Sequence, residues 1–497
     1  MKRPRAILLS IRPEHAKEIY AGKKRSELRK SFPGPETRIV FLYETTPVES
    51  VTGAFFIRES RRLEVSEIKR RASEAGISAV RAARYFGDRP RGWMVDIDTA
   101  VRFEEPVSFR SLATLNHYLT VPQAFSYLTP YESTTHVLMT ELVRALVAKK
   151  MVQLRHLRSG KRQQEFATLI VETVGDSYAE IDADFIEQVF DQDQAGRAPF
   201  STATKTVYEI VVGEMCIGYT CLTKKHYSAL KSGPTVLRPQ FRGVGLGRAV
   251  REVIEAKAMA EGARKLYCTC PADRQDVLRY LVEGGLEIEA RLRRHLAVGR
   301  DEYVLGKILR EGEEGRIELR QARRRVARVV RIEAGDERVN GAVEYFLAWL
   351  KAWYFAPHAS MREDIMEGMK LAEANAPAAR KPKEMLVALS PRGQFRAVVL
   401  CTRKRSDMVK MNVVSDADDG HAIRAIVDRV HAELGAPRRV YCTAPTHMMS
   451  TCRHLRDAGM RVEGFLAAPF QSDVDHYCFG MNWASGNHGT GSAKATR

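Results

Sequence analysis

An internal repeat limits the folds open to this chain more than any other feature. The segment Arg264–Pro271 (RKLYCTCP) matches Arg438–Pro445 (RRVYCTAP), with a constant displacement in numbering of 441 − 267 = 174. The same displacement holds without a gap for Arg279/Arg453, Leu281/Leu455, Gly285/Gly459, Glu289/Glu463, Asp301/Asp475, Tyr303/Tyr477 and Gly306/Gly480. The chain therefore contains two copies of one supersecondary unit, placed one after the other.

The first copy carries a glycine-rich loop between a predicted strand and a predicted helix. The strand is 233–237, and the helix runs from Gly247 to about Ala260 because apolar residues recur there at helical spacing. Between them the sequence reads PQFRGVGLGR, from Pro239 to Arg248. Alternate glycines let a backbone approach a ligand closely. N–H groups at the positive end of a helix form an anion site, to which Arg242 adds a donor suited to phosphate.

The pattern Arg-x-x-Gly-x-Gly after Pro-x-Phe resembles the acyl-CoA pyrophosphate loop of the GNAT family of N-acetyltransferases. A dinucleotide site is disfavoured, because the glycine spacing differs. The resemblance implies acetyl-CoA as acyl donor, with its pantetheine facing the backbone at Val236 and Leu237. It also implies that the pyrophosphate is held by backbone amides of Arg242, Gly243, Val244, Gly245, Leu246, Gly247 and Arg248.

The residues that would move protons are less well defined by the sequence. Attack of an amine on a thioester needs a deprotonated amine and a proton for the leaving thiolate. Many family members have a tyrosine four residues before a glycine that corresponds to Gly285. That position holds Leu281, and the tyrosine is next to it at Tyr280. His226 and Tyr227 are the candidates on the substrate side, and a structural role for each stays open.

The second copy has an acidic sequence, Ser415-Asp-Ala-Asp-Asp-Gly420, in place of the loop. Three carboxylates would repel a pyrophosphate, so we expect this copy not to bind CoA. No metal is expected, because one short acidic run lacks the rest of a calcium loop. Cys268 and Cys270 lack the spacing of a zinc site and are interpreted as core thiols.

Near the N-terminus, Gly22-x-Lys24-x-x-Glu27-x-Arg29 resembles the signature of the ASCH domain, a small PUA-like β-barrel. The resemblance implies a cleft that binds RNA or modified nucleosides through Lys24, Glu27 and Arg29. If the run is extended, Arg25, Glu27 and Arg29 share one face, with the carboxylate between two guanidiniums. A solvated basic hairpin is the alternative.

These features predict a multidomain α/β (α+β) fold, a PUA-like β-barrel followed by two GNAT-type mixed-sheet domains. The predicted divisions are 1–133 for the ASCH-like module, 134–162 for a helical linker, 163–310 for the acetyltransferase domain, 311–483 for the degenerate copy and 484–497 for a disordered tail. Within them, 166–172 is predicted as a strand and 182–190 as a helix. No apolar run has membrane-spanning length, and the eight cysteines form no disulfide framework, so a cytoplasmic protein is expected.

The net charge of +18 favours a polyanionic partner. The leading hypothesis is an N-acetyltransferase that acts on an amine of a nucleic acid, with RNA favoured, or on an aminoacyl or peptide group carried by RNA. The alternatives are an RNA-binding regulatory protein with a vestigial transferase, an ASCH-type amidohydrolase for acetylated nucleosides, and a DNA-base-modifying enzyme. The oligomeric state stays open.

Overall fold

The computed structural model describes residues 6–129, 132–157, 161–175, 178, 203–225, 228–243, 245–297, 299–310, 317, 319–322, 325–405, 407–471 and 474–483. The fold is multidomain α/β with mixed β-sheets, as predicted. Two compact units are present. The first comprises Met1–Ile170, Val207–Thr220 and Pro234–Lys257, and the second comprises Val171–Thr206, Cys221–Gly233 and Ala258–Arg497. In the described part of the chain, no helix is both long enough and apolar enough to cross a bilayer.

The N-terminal module of the first unit is built on a six-stranded sheet with the order β2-β5-β4-β3-β1-β6. Its strands are β1 (Ala6–Ile11), β2 (Ser26–Arg29), β3 (Ile39–Glu44), β4 (Ser50–Glu64), β5 (Arg91–Ser108) and β6 (Phe125–Leu128). Its helices are α1 (Pro13–Tyr20), α2 (Val65–Arg70), α3 (Ala79–Phe86) and α4 (Phe109–Leu115). The pairing of β4 with β5 shifts register at three places, and such bulges bend long strands.

The segment that follows departs from two predictions. The helix α5 (Ser133–Ala148) is present, but β7 (Val152–His156) lies inside the predicted helical linker and pairs antiparallel with β8 (Ala203–Val212). The strand predicted at 166–172 is wrong, because these residues belong to the helix α6 (Lys161–Val174).

The apolar side chains of α6 explain that error. Phe166, Leu169 and Ile170 are buried and are spaced three and four residues apart, which is helical spacing. The continuous run of apolar and β-branched residues there also fits a buried strand. The helix predicted at 182–190 and the tail at 484–497 lie outside the described residues.

From β8 in the first copy and from the strand Lys383–Leu389 in the second, the elements follow in the same order. After β8 the first copy continues with β9 (Met215–Lys225), β10 (Ala229–Leu237), α7 (Leu246–Ala260), β11 (Lys265–Pro271), α8 (Gln275–Glu283), β12 (Glu287–Ala297) and β13 (Arg300–Ile308). The second has β14 (Arg328–Ile332), α9 (Val339–Trp353), α10 (Met361–Glu373), β15 (Lys383–Leu389), β16 (Phe395–Arg405), β17 (Met408–Ser415), α11 (Gly420–Glu433), β18 (Arg439–Pro445), α12 (Met449–Asp457), β19 (Arg461–Gln471) and β20 (Val474–Asn482).

Within the second unit the strands of both copies form one sheet, a question that the sequence left open. The order is β14-β15-β16-β17-β18-β20-β19-β12-β13-β11. The copies meet where β12 pairs antiparallel with β19, at Ala290 opposite Gly464. A Cβ atom on Gly464 would overlap Ala290, so glycine allows the two backbones to approach. Ala290 and Gly464 are equivalent positions of the repeat, so each copy contributes the same position to the junction.

Reciprocal hydrogen bonds join the copies across this junction. Arg264 Nη2 donates to the carbonyl of Ala468 (2.5 Å), and Arg438 Nη1 donates to the carbonyl of Arg294 (2.7 Å). Both acceptor residues have positive φ, 53° for Arg294 and 37° for Ala468. The two donors are equivalent positions of the repeat, as are the two acceptors, so the copies are related by an approximate two-fold axis.

A second set of contacts has the same symmetry. Lys265 Nζ donates to the carbonyl of Ala467 (2.6 Å) and pairs with Glu289 (2.6 Å). In the second copy, Arg439 Nη1 donates to the carbonyl of Arg293 (2.8 Å), and its Nη2 pairs with Glu463 (2.5 Å). The side chains of these cations and carboxylates are buried. The Lys265–Glu289 pair holds β12, which accepts the hydrogen bond from Arg439, and the Arg439–Glu463 pair holds β19, which accepts the one from Lys265.

Candidate functional sites

The glycine-rich loop of the first copy is a tight turn between β10 and α7. Pro239–Phe241 form one 3-10 turn, and the buried Phe241 anchors it. Gly243 and Gly245 follow with φ of 73° and 78°, a backbone conformation that favours glycine. A Cβ atom on Gly245 would lie 3.3 Å from the Cβ of Met139 on α5, so the site is also short of space.

The turn exposes the start of α7 to an anion. Leu246 is the first helical residue and is buried, whereas Gly245 and Arg248 are exposed. The first N–H groups of a helix have no partner within it and carry positive partial charge. Arg242 Nε donates to the carbonyl of Leu237 (2.7 Å), which ties the turn to the end of β10. The loop geometry therefore suits a phosphate group.

The strand that leads into the loop lies close to β9. A Cβ atom on Gly218 would come within 3 Å of the Leu237 Cα, so glycine permits the approach. Thr220 and Thr235 hydroxyls lie 2.7 Å apart across the same pair of strands. Val236, one of the two residues predicted to face the pantetheine, is buried, and Leu237 is half-buried.

A polar network beside the loop was missed in the sequence. Glu165 on α6 accepts hydrogen bonds from the Tyr219 hydroxyl (3.1 Å) and from Arg238 Nη2 (2.6 Å). Burial raises the pKa of Tyr219, so its hydroxyl stays a neutral donor. Arg238 directly precedes the turn, and the network holds it in place. Glu165 escaped notice because it borders the segment that was wrongly predicted as a strand.

Of the three predicted proton-transfer residues, the structure describes Tyr280. His226 and Tyr227, like Val244 of the loop, lie outside the described residues. Tyr280 lies half-buried on α8, in the second unit, whereas the loop belongs to the first. The catalytic roles of these three residues stay predictions.

The acidic segment of the second copy is occupied by its own hydrogen bonds. Asp418 accepts from the backbone N–H groups of Ser450 (2.7 Å) and Thr451 (2.8 Å) and from the Thr451 hydroxyl (2.7 Å), at the start of α12. Asp419 accepts from the N–H of Ala422 (3.2 Å) and caps α11. Asp419 thus takes a donor at the start of α11, the helix that follows the acidic segment, and Asp418 takes donors at the start of α12. The loss of CoA binding by this copy stays a prediction.

In the N-terminal module, Lys24, Glu27 and Arg29 come together as predicted. Glu27 lies 3.2 Å from Lys24 Nζ and 2.9 Å from Arg29 Nη2, and Lys24 and Glu27 are buried. Burial alone would raise the pKa of Glu27, but the charges of Arg29 and Lys24 outweigh it and hold the pKa below its ordinary value. The expectation of two flanking guanidiniums was wrong, because Arg25 precedes β2 and is exposed.

The cluster is fixed to the surrounding backbone. Lys24 Nζ also donates to the carbonyl of Ala75 (2.6 Å), and Arg29 Nη2 donates to that of Ser10 (2.9 Å). A cleft of about 490 Å³ adjoins the cluster, and Lys24 is among the residues that line it. Its lining carries both signs of charge, from Arg25, Arg58, Arg71, Glu74, Asp96 and Asp98.

The described residues contain no cluster of His, Cys, Asp or Glu that could hold a metal ion. All eight cysteines are buried and unpaired by disulfides, and burial raises the pKa of Cys268 to about 12 and that of Cys270 to about 11. These thiols are therefore protonated at neutral pH, in line with the interpretation as core residues.

Comparison with models of known protein families and with curated proteins gave no match. Among solved structures, the chain is similar to the ASCH protein of Zymomonas mobilis, with 24% identity over 27% of this chain and 94% of that one, at a TM-score of 0.25. It is also similar to the spermidine N-acetyltransferase of Vibrio cholerae, with 14% identity over 32% and 94% of the chains and a TM-score of 0.27. A microcin C7 self-immunity acetyltransferase in complex with acetyl-CoA and AMP has 16% identity over 32% and 93%, also with a TM-score of 0.27.

Proposed function

We propose that the first copy is an N-acetyltransferase that uses acetyl-CoA, and that its acceptor is an amine of a nucleic acid or of a group carried by one. The observation that carries the proposal is the glycine loop. Gly243 and Gly245 have positive φ directly before α7, while the equivalent segment of the second copy is filled by Asp418 and Asp419. One chain thus offers one loop that suits the pyrophosphate.

In this reaction the amine nitrogen attacks the thioester carbon, and the C–S bond breaks as the N–C bond forms. Backbone amides of the loop would hold the pyrophosphate, and the backbone at Val236 and Leu237 would face the pantetheine. At the two ends of the loop, the N–H of Arg242 donates to the Pro239 carbonyl (3.3 Å) and that of Arg248 to the Gly245 carbonyl (3.1 Å), so these two amides must change partner to take part. A base takes the amine proton, for which His226 and Tyr227 are the candidates, and Tyr280 is the candidate donor to the departing thiolate.

Titration calorimetry of acetyl-CoA into the whole protein tests the proposal. We expect one site per chain, and loss of binding by at least 100-fold in Gly245→Glu, which adds a charge and a side chain where φ is 78°. Gly435→Glu is the matched control, since Gly435 has φ of 71° and open space around it in the second copy. Two sites in the unmodified protein, or equal loss in both variants, would contradict the proposal.

We further propose that the N-terminal module binds RNA near Lys24, Glu27 and Arg29. The motive is a buried charged cluster in a chain of net charge +18. Transfer of labelled acetyl groups that requires RNA, and that DNA does not support, is the expected result. RNA binding without acetyl-CoA binding would favour the regulatory alternative. Release of acetate from acetylcytidine, lost in Lys24→Ala, would favour the hydrolase.

A further inference from the structure

Five lysines of the second unit lie close together, and none of them belongs to the two sites above. They are Lys225 at the end of β9, Lys231 on β10, Lys381 before β15, Lys404 on β16 and Lys410 on β17. Each is partly exposed. The charges of Lys381, Lys231 and Lys410 act on Lys225, and those of Lys381, Lys410 and Lys225 act on Lys404. Lysines from five separate segments of the two copies therefore form one cluster.

Strand register shows that the repeat builds this cluster. Lys231 on β10 lies beside Tyr267 on β11, and Lys410 on β17 lies beside Tyr441 on β18. The two tyrosines are the equivalent positions of the copies. Lys410 lies opposite Thr402, and the register shifts between Arg403 and Arg405, so Lys404 lies at an irregularity of β16, on the strand adjacent to that of Lys410.

Other lysines near the cluster have different partners. Lys224 pairs with Glu261 (3.3 Å) and Lys265 with Glu289 (2.6 Å), whereas Lys383, whose charge acts on Lys381 and Lys404, donates to the backbone carbonyl of Asp364 (2.6 Å). No ion pair joins any of the five to a carboxylate within the residues that the structure describes. Desolvation first, and then the charges of nearby lysines, lower the pKa of Lys225 and Lys404 well below the ordinary value. Desolvation and the charges of Lys205 and Lys383, which lie outside the cluster, lower the pKa of Lys381 to about 8.

Charged groups that lose water are normally paired, because desolvation without a partner is unfavourable. Five partly buried lysines, none with an ion pair to a carboxylate among the described residues, therefore point to an anionic ligand. Adjacent strands are about 4.8 Å apart and alternate residues of a strand about 7 Å apart, so the ammonium groups extend over more than one phosphate. Lysine acts as a point charge, which suits contacts to phosphates that do not depend on sequence.

We propose that the lysine cluster binds the phosphodiester backbone of a nucleic-acid strand. This inference goes beyond acetyl transfer and does not depend on it, because binding is measured without acetyl-CoA. It adds a second nucleic-acid-binding surface, formed by both copies, to the one proposed for the N-terminal module. The second copy then contributes Lys404 and Lys410 to the surface that binds the nucleic acid, although its own acidic segment does not suit a phosphate.

Fluorescence anisotropy of a labelled single-stranded 20-nucleotide RNA, titrated with the full chain at several salt concentrations, tests this proposal. The double variant Lys404→Gln/Lys410→Gln is compared with Lys351→Gln/Lys370→Gln, which removes two exposed lysines from α9 and α10 of the same copy. Any contribution of the N-terminal module is the same in both, so their difference reports the cluster.

We expect the cluster variant to bind at least tenfold more weakly. Its plot of log K against log salt should be less steep by about 1.4, since each phosphate contact on a single strand contributes about 0.7. The control should change affinity less than twofold. Equal effects of the two double variants would overturn the proposal, whether or not acetyl-CoA binds.

Two further measurements separate the ligand class from a purely structural role. Inorganic triphosphate is used as competitor, and displacement of the RNA at equal phosphate concentration would show that the cluster takes a small polyphosphate instead of a strand, which would overturn the proposal. The unfolding temperature of the cluster variant should not fall, because removing two lysine charges relieves repulsion within the cluster. A lower unfolding temperature together with normal RNA binding would assign the lysines a structural role and overturn the proposal.

Discussion

The two copies share an order of elements and a junction, yet their loops have opposite chemistry. In the first copy, Gly243 and Gly245 leave the start of α7 open. In the second, Asp418 and Asp419 bind the helix starts themselves, and a Cβ atom on Gly420 would overlap the Ser450 carbonyl. The same order of elements thus holds two different segments before the helix, one with glycines of positive φ and one whose carboxylates accept hydrogen bonds from helix starts.

The largest effect is expected from substitutions in the buried ion pairs at the junction between the two copies. Arg439→Ala leaves Glu463 as an uncompensated buried charge, and we expect a loss of about 3–5 kcal/mol in the free energy of unfolding of the second unit. Denaturant unfolding followed by tryptophan fluorescence measures it. Lys265→Ala should cost less, because Arg439 bonds Glu463 through two nitrogens and Lys265 bonds Glu289 through one.

A double variant tests whether the unpaired buried charge causes the loss of stability. Arg439→Met/Glu463→Gln removes both charges, and it should recover most of the loss because no buried charge is then left alone. If the single and double variants are equally unstable, the ion pair is not the cause. If Lys265→Ala lowers the free energy of unfolding more than Arg439→Ala does, the number of hydrogen bonds in each ion pair does not determine its contribution to stability.

The sequence predicted the general fold and the contrast between the loops, because both depend on local patterns. Glycines at alternate positions and a run of aspartates reveal themselves without tertiary information. The junction could not be predicted, since Arg264 and Arg438 bond to carbonyls that are far away in the sequence, and carbonyls carry no sequence signal. The lysine cluster was missed for the same reason, as its members come from five separate segments.

A swap across the junction tests the two-fold relation directly. Gly464→Ala places a Cβ atom into Ala290, so β12 and β19 must separate, and we expect a loss of about 1–3 kcal/mol. Ala290→Gly/Gly464→Ala exchanges the two equivalent residues and removes the overlap with the Ala290 Cβ, while the overlaps with the Ala290 Cα and the Glu289 carbonyl require a backbone shift; we therefore expect partial recovery of that loss. Denaturant midpoints of the three proteins give the answer, and a double variant no better than the single one would argue against the symmetry.

The closed loop can be probed by weakening it. Asp418→Asn keeps the shape but removes the charge, and its amide nitrogen cannot accept a hydrogen bond as one carboxylate oxygen now does. At least the bond from the Ser450 N–H is then lost, and we expect a loss of about 1–3 kcal/mol of stability. It should not create a second acetyl-CoA site, because the space above Gly420 stays filled by the Ser450 carbonyl. Calorimetry that shows two sites per chain in this variant would mean that charge alone closes the loop.

The smallest effect is a pH response that differs between the units. In the second unit, desolvation first and then nearby Lys205 and Lys383 lower the pKa of Lys381 to about 8, from an ordinary value of 10.5. The charge of Lys381 also acts on Lys225 and Lys404, and Asp364 acts on the neighbouring Lys383. Between pH 8 and 10.5 the unfolded chain binds more protons at this side chain, and the contribution of Lys381 to stability therefore rises with pH.

In the N-terminal module the sign is reversed, because the pKa of Glu27 is lowered. Its stabilising contribution is present above the ordinary pKa of a glutamate and is lost as pH falls through the lowered value. Raising the pH from 7.5 to 9.5 should thus increase the unfolding temperature of the second unit by about 2–4 °C and leave the first unit unchanged. Scanning calorimetry on the whole chain measures both transitions. In Lys381→Gln the rise should shrink, and an unchanged rise would assign it to other groups.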